Sequence, residues 1–401
     1  MRLDSHRKMI CIVKQHFKLN CILLLTIGLW PYQQSLLVQF QRIFLISILT
    51  SSIVFQFTLF LTSECTLDFV IKILSSVLFF MIFMIKYNSF WINSRAMRSL
   101  LEQLQNICNE LKDENEVNIM KKYGNNAKRY TIRIIGIFVF SIFILCFVPI
   151  WSHILDIVLP TNESRSRSTL LLTQYFVDQE KYFYLIFLHI NATICIGGTA
   201  IIGTGTMLIA YLKHACGMFT IASYRIEQAM AINNLQNSFQ NEIAIYKGII
   251  CAVDVHCKTI EFCKTLISSV EGLFFILIGF NVICLSLNLF EMYKTLSYGD
   301  AKEEFLFHFI IVIIILLYMF LANYAGQEII DHNNHIFYTA YNVRWYVAPL
   351  HIQKLILFML QRSTKAVSLN VGGLFAASLN CFAQLATASV SYFTFIYSTQ
   401  Q

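Results

Sequence analysis

Charge is what this chain has least of. Asp, Glu, Lys and Arg make up 13% of its 401 residues, about half the roughly 25% of a soluble globular domain. That shortage excludes water as the main solvent of the folded chain. A cleavable signal segment is not expected either. The apolar run 21–30 is too short to span, and it leads into Pro31 with no small-residue cleavage site, so it reads as an inner-surface helix. Internal repeats and low-complexity tracts are missing, which argues against a transporter built from paired halves with broken helices. There is no nucleophile–base pairing and no metal-hydrolase motif. Gly203-Thr204-Gly205 has no strand before it, as a nucleotide loop would. An enzyme is not expected, nor is any cofactor.

What is present is apolar length. Hydrophobic residues make up 57% of the chain. Seven stretches, 38–62, 67–86, 131–151, 182–212, 266–290, 305–324 and 371–397, reach the length that crosses a bilayer core, about 20 residues. Of the 30 Lys and Arg residues, 23 fall in the tail before residue 36 and in the connections 86–133, 213–264 and 325–370. Basic residues resist translocation. The N-terminus is therefore expected inside and the C-terminus outside, the reverse of a G-protein-coupled receptor. The net charge of +7 belongs to those inner segments. Anionic inner-leaflet lipid accounts for it without nucleic acid. Of the 12 cysteines only Cys65 falls in an outer connection, so no outer disulfide framework is expected. Asn162-Glu163-Ser164 is a glycosylation sequon in an outer connection, with Asn162 as acceptor. Asn191-Ala192-Thr193 lies inside a span and should stay unmodified.

The inner segments are helical in pattern. Met97, Leu101, Leu104, Cys108 and Leu111 draw one apolar stripe. Ile245, Ile249, Ala252, His256, Ile260 and Cys263 draw another that runs into the fifth span. Residues 350–360 are apolar but short, opened by Pro349 and closed by Gln361-Arg362-Ser363. The expected fold is an all-α integral membrane protein with seven transmembrane helices on a helical cytoplasmic anchor. Its division is 1–324, a six-span bundle, and 325–401, anchor helices plus the seventh span. Ile245, Ile249, Ile336, Leu355 and Phe358 suggest more apolar surface than one chain buries, and hence an assembly interface.

The seventh span differs from the rest. Asn380, Gln384, Thr387, Ser391, Thr394 and Ser398 recur at steps of four and three, which at 100° per residue places them within roughly 80° of arc. Such a face cannot meet hydrocarbon. Two readings stay open at this point: hydrogen bonding between helices, or a water-filled pore.

The chain's last segment, LNVGGLFAASLNCFAQLATASVSYFTFIYS, resembles the C-terminal signature of insect odorant receptors through Gly372-Gly373, Phe375, Ser378-Leu379, Phe382 and Ser391-Tyr392-Phe393-Thr394. Tyr341, Trp345, Pro349, Gln361-Arg362-Ser363, Lys365 and Gly28-Leu29-Trp30-Pro31 are also similar to the family. The resemblance implies an odorant-gated, non-selective cation channel of the plasma membrane of olfactory neurons. It implies a heterotetramer with a shared co-receptor, the last span of each subunit lining one pore, and a gate at Phe395 and Thr399. Phe395 lies about 60° from the centre of the polar stripe, so the two readings share the segment and differ in rotation. Gustatory receptors of the same superfamily, the alternative, end in a Thr-Tyr and Gln-Phe pattern that Ser391-Tyr392 and Ser398-Thr399 do not follow. The co-receptor has a longer second inner loop, so this chain looks like a ligand-tuning subunit.

The family places its pocket in the outer half of the bundle, for small, mostly apolar volatile ligands. On that basis the candidates are Val70 and Leu74 on the second span, then Phe143, Phe147 and Trp151 on the third. Tyr184, Phe187 and Leu188 follow on the fourth, and Phe307, His308 and Ile311 on the sixth. With 35 Phe in the chain, most aromatics fill the bundle or face lipid. Tyr184 and His308 are the polar groups best placed to orient a ligand oxygen. His332 and His335 beside Asp331 have helical spacing but lack the further ligands a metal needs. Glu271 at the inner end of the fifth span is an intramembrane charge and a functional candidate on that ground.

Overall fold

The computed structural model describes residues 15–33, 35–158, 173–179, 181–231, 239–298, 302–364 and 367–400, apart from the side chains of 146–158, 239, 298 and 302. Among the described residues the regular structure is helical but for one small hairpin. In chain order the helices are α1 (Lys18–Thr26), α2 (Leu36–Phe57), α3 (Leu59–Thr62), α4 (Leu67–Ile92), α5 (Ser94–Glu110), α6 (Glu114–Val158), α7 (Phe183–Ala231), α8 (Phe239–Tyr298), α9 (Lys302–Asn342), α10 (Leu350–Ser363) and α11 (Leu379–Gln400). Strands β1 (Asn370–Val371) and β2 (Phe375–Ala376) pair antiparallel just before α11.

Among the described residues, five stretches are both long and apolar enough to cross a membrane: α2 with α3, α4, α7, α8 and α9. Helices α6, with 45 residues, and α11, with 22, reach the same length. Large apolar side chains such as Leu36, Leu37 and Phe40 stand 71–81% exposed on α2. A continuous apolar exterior of this kind belongs in hydrocarbon rather than water.

Local chemistry sets the boundaries. Helix α1 ends in a Schellman motif. Gly28 takes φ +69°, its N–H reaches Leu25 O at 3.1 Å, and Leu29 N–H reaches Leu24 O at 2.7 Å. Tyr87 Oη then donates to Ile27 O at 2.7 Å, which clips the end of α1 to α4. Ser35 caps α2 and Thr66 caps α4 through their side-chain oxygens.

The expected stripes are buried. Met97, Leu101, Leu104 and Cys108 of α5 and Leu111 just after it face the core, and burial pushes the Cys108 thiol up to about 12. Ile245, Ile249, Ala252, His256, Ile260 and Cys263 do the same from α8. This changes the reading of the assembly surface. Ile245, Ile249 and Ile336 are buried within the chain, whereas Phe358 is 68% exposed beside exposed Leu350 and Leu357 on α10. Where the chain carries most of its Lys and Arg, polar groups pair off. Arg225 grips Glu116 through two bonds of 2.6 and 2.9 Å and reaches Cys251 O at 3.0 Å. Lys213 meets Glu328 at 2.6 Å.

The last helix begins later than the sequence reading has it, at Leu379 rather than 371. Gly372 and Gly373 both take positive φ, +62° and +68°. Two successive left-handed residues turn the chain into a hairpin instead of starting a helix. Glu271 of α8 accepts the Gly372 N–H at 3.0 Å, so this charge anchors the hairpin.

Candidate functional site

Helix α11 has two unlike faces. Cys381, Leu385 and Ser389 are buried against the bundle, and Ser389 O accepts from Ser286 Oγ at 2.9 Å. Asn380, Gln384, Thr387, Ser391, Thr394, Phe395, Ser398 and Thr399 are all exposed. The hydroxyls of Ser391, Thr394, Ser398 and Thr399 bond back to carbonyls of their own helix. Those four groups are satisfied without a neighbour. Asn380 and Gln384 differ: among the described residues their amides make no hydrogen bond within the chain. An amide that is not satisfied internally needs water or another chain. The start of the helix is pinned by α9, where Asn323 Oδ1 accepts from Ser378 N at 3.1 Å and Phe320 meets Phe382 edge-on at 5.5 Å.

Behind the buried face of α11 lies a cavity of about 410 Å³ with an almost wholly apolar lining. That volume lies within the range of small-molecule sites. Helices α4, α6, α7, α8, α9 and α11 all contribute to its wall. Phe79, Phe80 and Phe83 of α4 form a ring cluster with centroids 4.6–6.1 Å apart. Helix α7 makes room for such rings with glycine. A Cβ on Gly197 would collide with the Phe83 ring, and one on Gly198 with Phe138. Beside the cavity wall, Lys86 is buried with Nζ 4.2 Å from the Phe274 ring centroid and 4.8 Å from that of Tyr318. Ring faces of this kind attract a cation. From α11's buried face, Cys381 and Leu385 complete the same wall.

Comparison with known proteins agrees with this architecture. The sequence model of the 7tm odorant receptor family matches residues 66–390. The chain belongs to the odorant receptor family. It is a receptor and not an enzyme. Its fold is similar to that of the insect olfactory receptor OR5 from Machilis hrabei in complex with eugenol, with a TM-score of 0.78 at 15% identity, covering 98% of this chain and 99% of that one. A second structure of OR5 from Machilis hrabei gives a TM-score of 0.76 at 16% identity, covering 97% and 98% of the two chains. No curated protein sequence matches.

Within the receptor, the expected ligand residues are scattered. Phe307 and Ile311 are buried and line the cavity. His308, next to Phe307, is buried but bonds Asn288 Oδ1 at 2.9 Å. Leu74 packs with Ile71, Leu287 and Phe290 against α11 rather than at the cavity, and Val70 is half-buried one turn earlier. Phe143, Tyr184 and Leu188 stand 60–65% exposed on the exterior, and Phe187 stacks on Phe183 at 6.1 Å. The side chains of Phe147 and Trp151, and Asn162 altogether, lie outside the described residues.

Sequence reasoning passed over Phe79, Phe80, Phe83, Phe138, Phe274 and Tyr318. The signal available for them was the helical spacing of 79, 80 and 83 opposite the glycine pair of α7. The His332–His335 pair is engaged in packing: His332 bonds Tyr123 Oη at 2.7 Å and Glu328 O at 2.7 Å, and His335 lies 3.3 Å from Ser223 Oγ.

Proposed function

We propose that this odorant receptor is the ligand-tuning subunit of a heteromeric, non-selective cation channel in the plasma membrane of olfactory neurons. Small, mostly apolar volatile molecules open it. It crosses the membrane seven times, with its N-terminus inside and C-terminus outside, and it assembles with a co-receptor subunit as a heterotetramer. The cavity binds the ligand, and the exposed face of α11, with Asn380, Gln384, Thr387, Ser391, Thr394, Phe395, Ser398 and Thr399, lines the conduction path. Asn162 carries a glycan on the outer side.

One observation carries this reading. Helix α11 shows Cys381 and Leu385 to the cavity and Asn380 and Gln384 to the outside. A ligand that repacks the first pair moves the helix that bears the second. Binding energy then biases the pore through a single rigid element, with differential contact in the two states as the only requirement. The apolar lining suits area burial and aromatic contact more than directed hydrogen bonds. One helix cannot enclose an aqueous path, so several subunits must place theirs around an axis. The exposed α10 face at Leu350, Leu357 and Phe358 is the surface offered to a neighbour. Co-expression with an insect co-receptor, with currents recorded across a panel of volatile ligands, tests the proposal. Ligand-evoked cation currents are expected only when both subunits are present. Robust currents from this chain alone, or none with the co-receptor at normal surface levels, would refute it.

A further inference from the structure

The end of the bundle away from the basic segments holds a polar cluster that the channel reading does not use. Glu291, near the end of α8, is buried, and its Oε1 has no hydrogen-bond partner. Glu304 and His308 approach it from the first turns of α9. One ligand atom from each of the three lies within 4.8 Å of the others. A buried carboxylate oxygen left bare is costly and calls for a proton or a cation.

The histidine beside it is held in one tautomer. Asn288 donates its amide to Ser75 O at 3.1 Å and Cys284 O at 2.8 Å, which fixes the amide's orientation. Its Oδ1 therefore faces His308 Nδ1, 2.9 Å away, as an acceptor. Nδ1 must carry the hydrogen, and Nε2 keeps the lone pair. A ring nitrogen held by a carbonyl while its partner stays basic is the arrangement that supports metal-binding histidines.

We propose that Glu291, Glu304 and His308 form a binding site for a divalent transition-metal ion of the zinc type, bridging the adjoining ends of α8 and α9. Two carboxylates and an imidazole suit Zn²⁺ with an open fourth position. An imidazole ligand disfavours Ca²⁺ and Mg²⁺, which take oxygen. Entry runs past Glu304, whose side chain is 24% exposed and is paired with Lys72. Lys72 is thus the built-in competitor, and binding displaces it. Lys294 is held by Asp68 at 2.9 Å, so it is not free to take Lys72's place.

The test is Zn²⁺ titration of the purified full chain in detergent, with thermal melting to confirm folding. It is independent of channel activity, so its failure is separable from failure of the channel reading. One Zn²⁺ per chain is expected, undiminished by excess Ca²⁺. Glu291→Gln and His308→Ala should each weaken binding at least tenfold, because each removes a direct ligand. Lys72→Met should tighten it by removing the competitor, a gain that misfolding cannot produce. Absence of binding by the folded chain, binding unchanged in either weakening variant, or Lys72→Met failing to tighten it would overturn the assignment.

Discussion

Gly205 offers a way to separate ligand binding from folding. It sits in α7 and lines the cavity, and a Cβ built on it meets no heavy atom within 4 Å. The first atom of a side chain placed there by Gly205→Leu therefore enters open space rather than a neighbour. On the folding side the change is favourable, since leucine in a helix interior is better than glycine by roughly 0.8 kcal/mol. On the binding side it removes room. If the leucine displaces burial equal to about three methylenes of ligand, at about 0.8 kcal/mol each, the loss is about 2.4 kcal/mol. That corresponds to roughly 50-fold in affinity. The assay is the dose–response curve for an activating volatile, with surface expression measured in parallel. The half-maximal concentration should rise by about that factor while surface expression holds or improves. Gly197→Leu and Gly198→Leu are the contrasting pair, because their side chains collide with Phe83 and Phe138. They should lower surface expression instead. An unchanged dose–response for Gly205→Leu at normal surface levels would refute the cavity as the ligand site.

Phe307→Ala, which removes a buried ring from the cavity wall, should weaken the ligand response more than tenfold, read from the same curves. Replacing both Asn380 and Gln384 by Leu should cut single-channel conductance while leaving ligand binding intact, measured by patch recording and ligand competition. Arg225→Ala leaves the buried Glu116 carboxylate unpaired, a loss of about 3–5 kcal/mol, and should sharply reduce the yield of folded protein. A C-terminal epitope should stain on intact cells, and staining only after permeabilisation would reverse the proposed topology.

Helical stripes were legible in the sequence wherever one face meets one core. Met97, Leu101, Leu104, Cys108 and Leu111 are buried because a 3.6-residue period leaves no other face to bury. The polar stripe of α11 was legible for the same reason, and Asn380, Gln384, Thr387, Ser391, Thr394 and Ser398 share its exposed side. The cavity was not. Whether Phe83 or Phe143 points inward depends on how each helix is rotated against its neighbours. Gly197 and Gly198 on a third helix make the room that Phe83 and Phe138 occupy, more than fifty positions away in the chain. Depth along a helix places Tyr184 and Leu188 level with a pocket, and depth does not choose a face. The late start of α11 was hidden by apolar residues around Gly372-Gly373, where backbone conformation overrode hydropathy.

The central claim is that the exposed face of α11 lines the conduction path. The direct measurement is thiol-reagent sensitivity of ligand-evoked current through Thr394→Cys, co-expressed with the co-receptor and with the exposed native Cys65 replaced. The account expects rapid, irreversible loss of current, faster while ligand holds the channel open. Its contradiction is unaltered current at Thr394→Cys, Asn380→Cys and Ser391→Cys while a cysteine on the opposite, buried face, at Leu385, reacts and blocks.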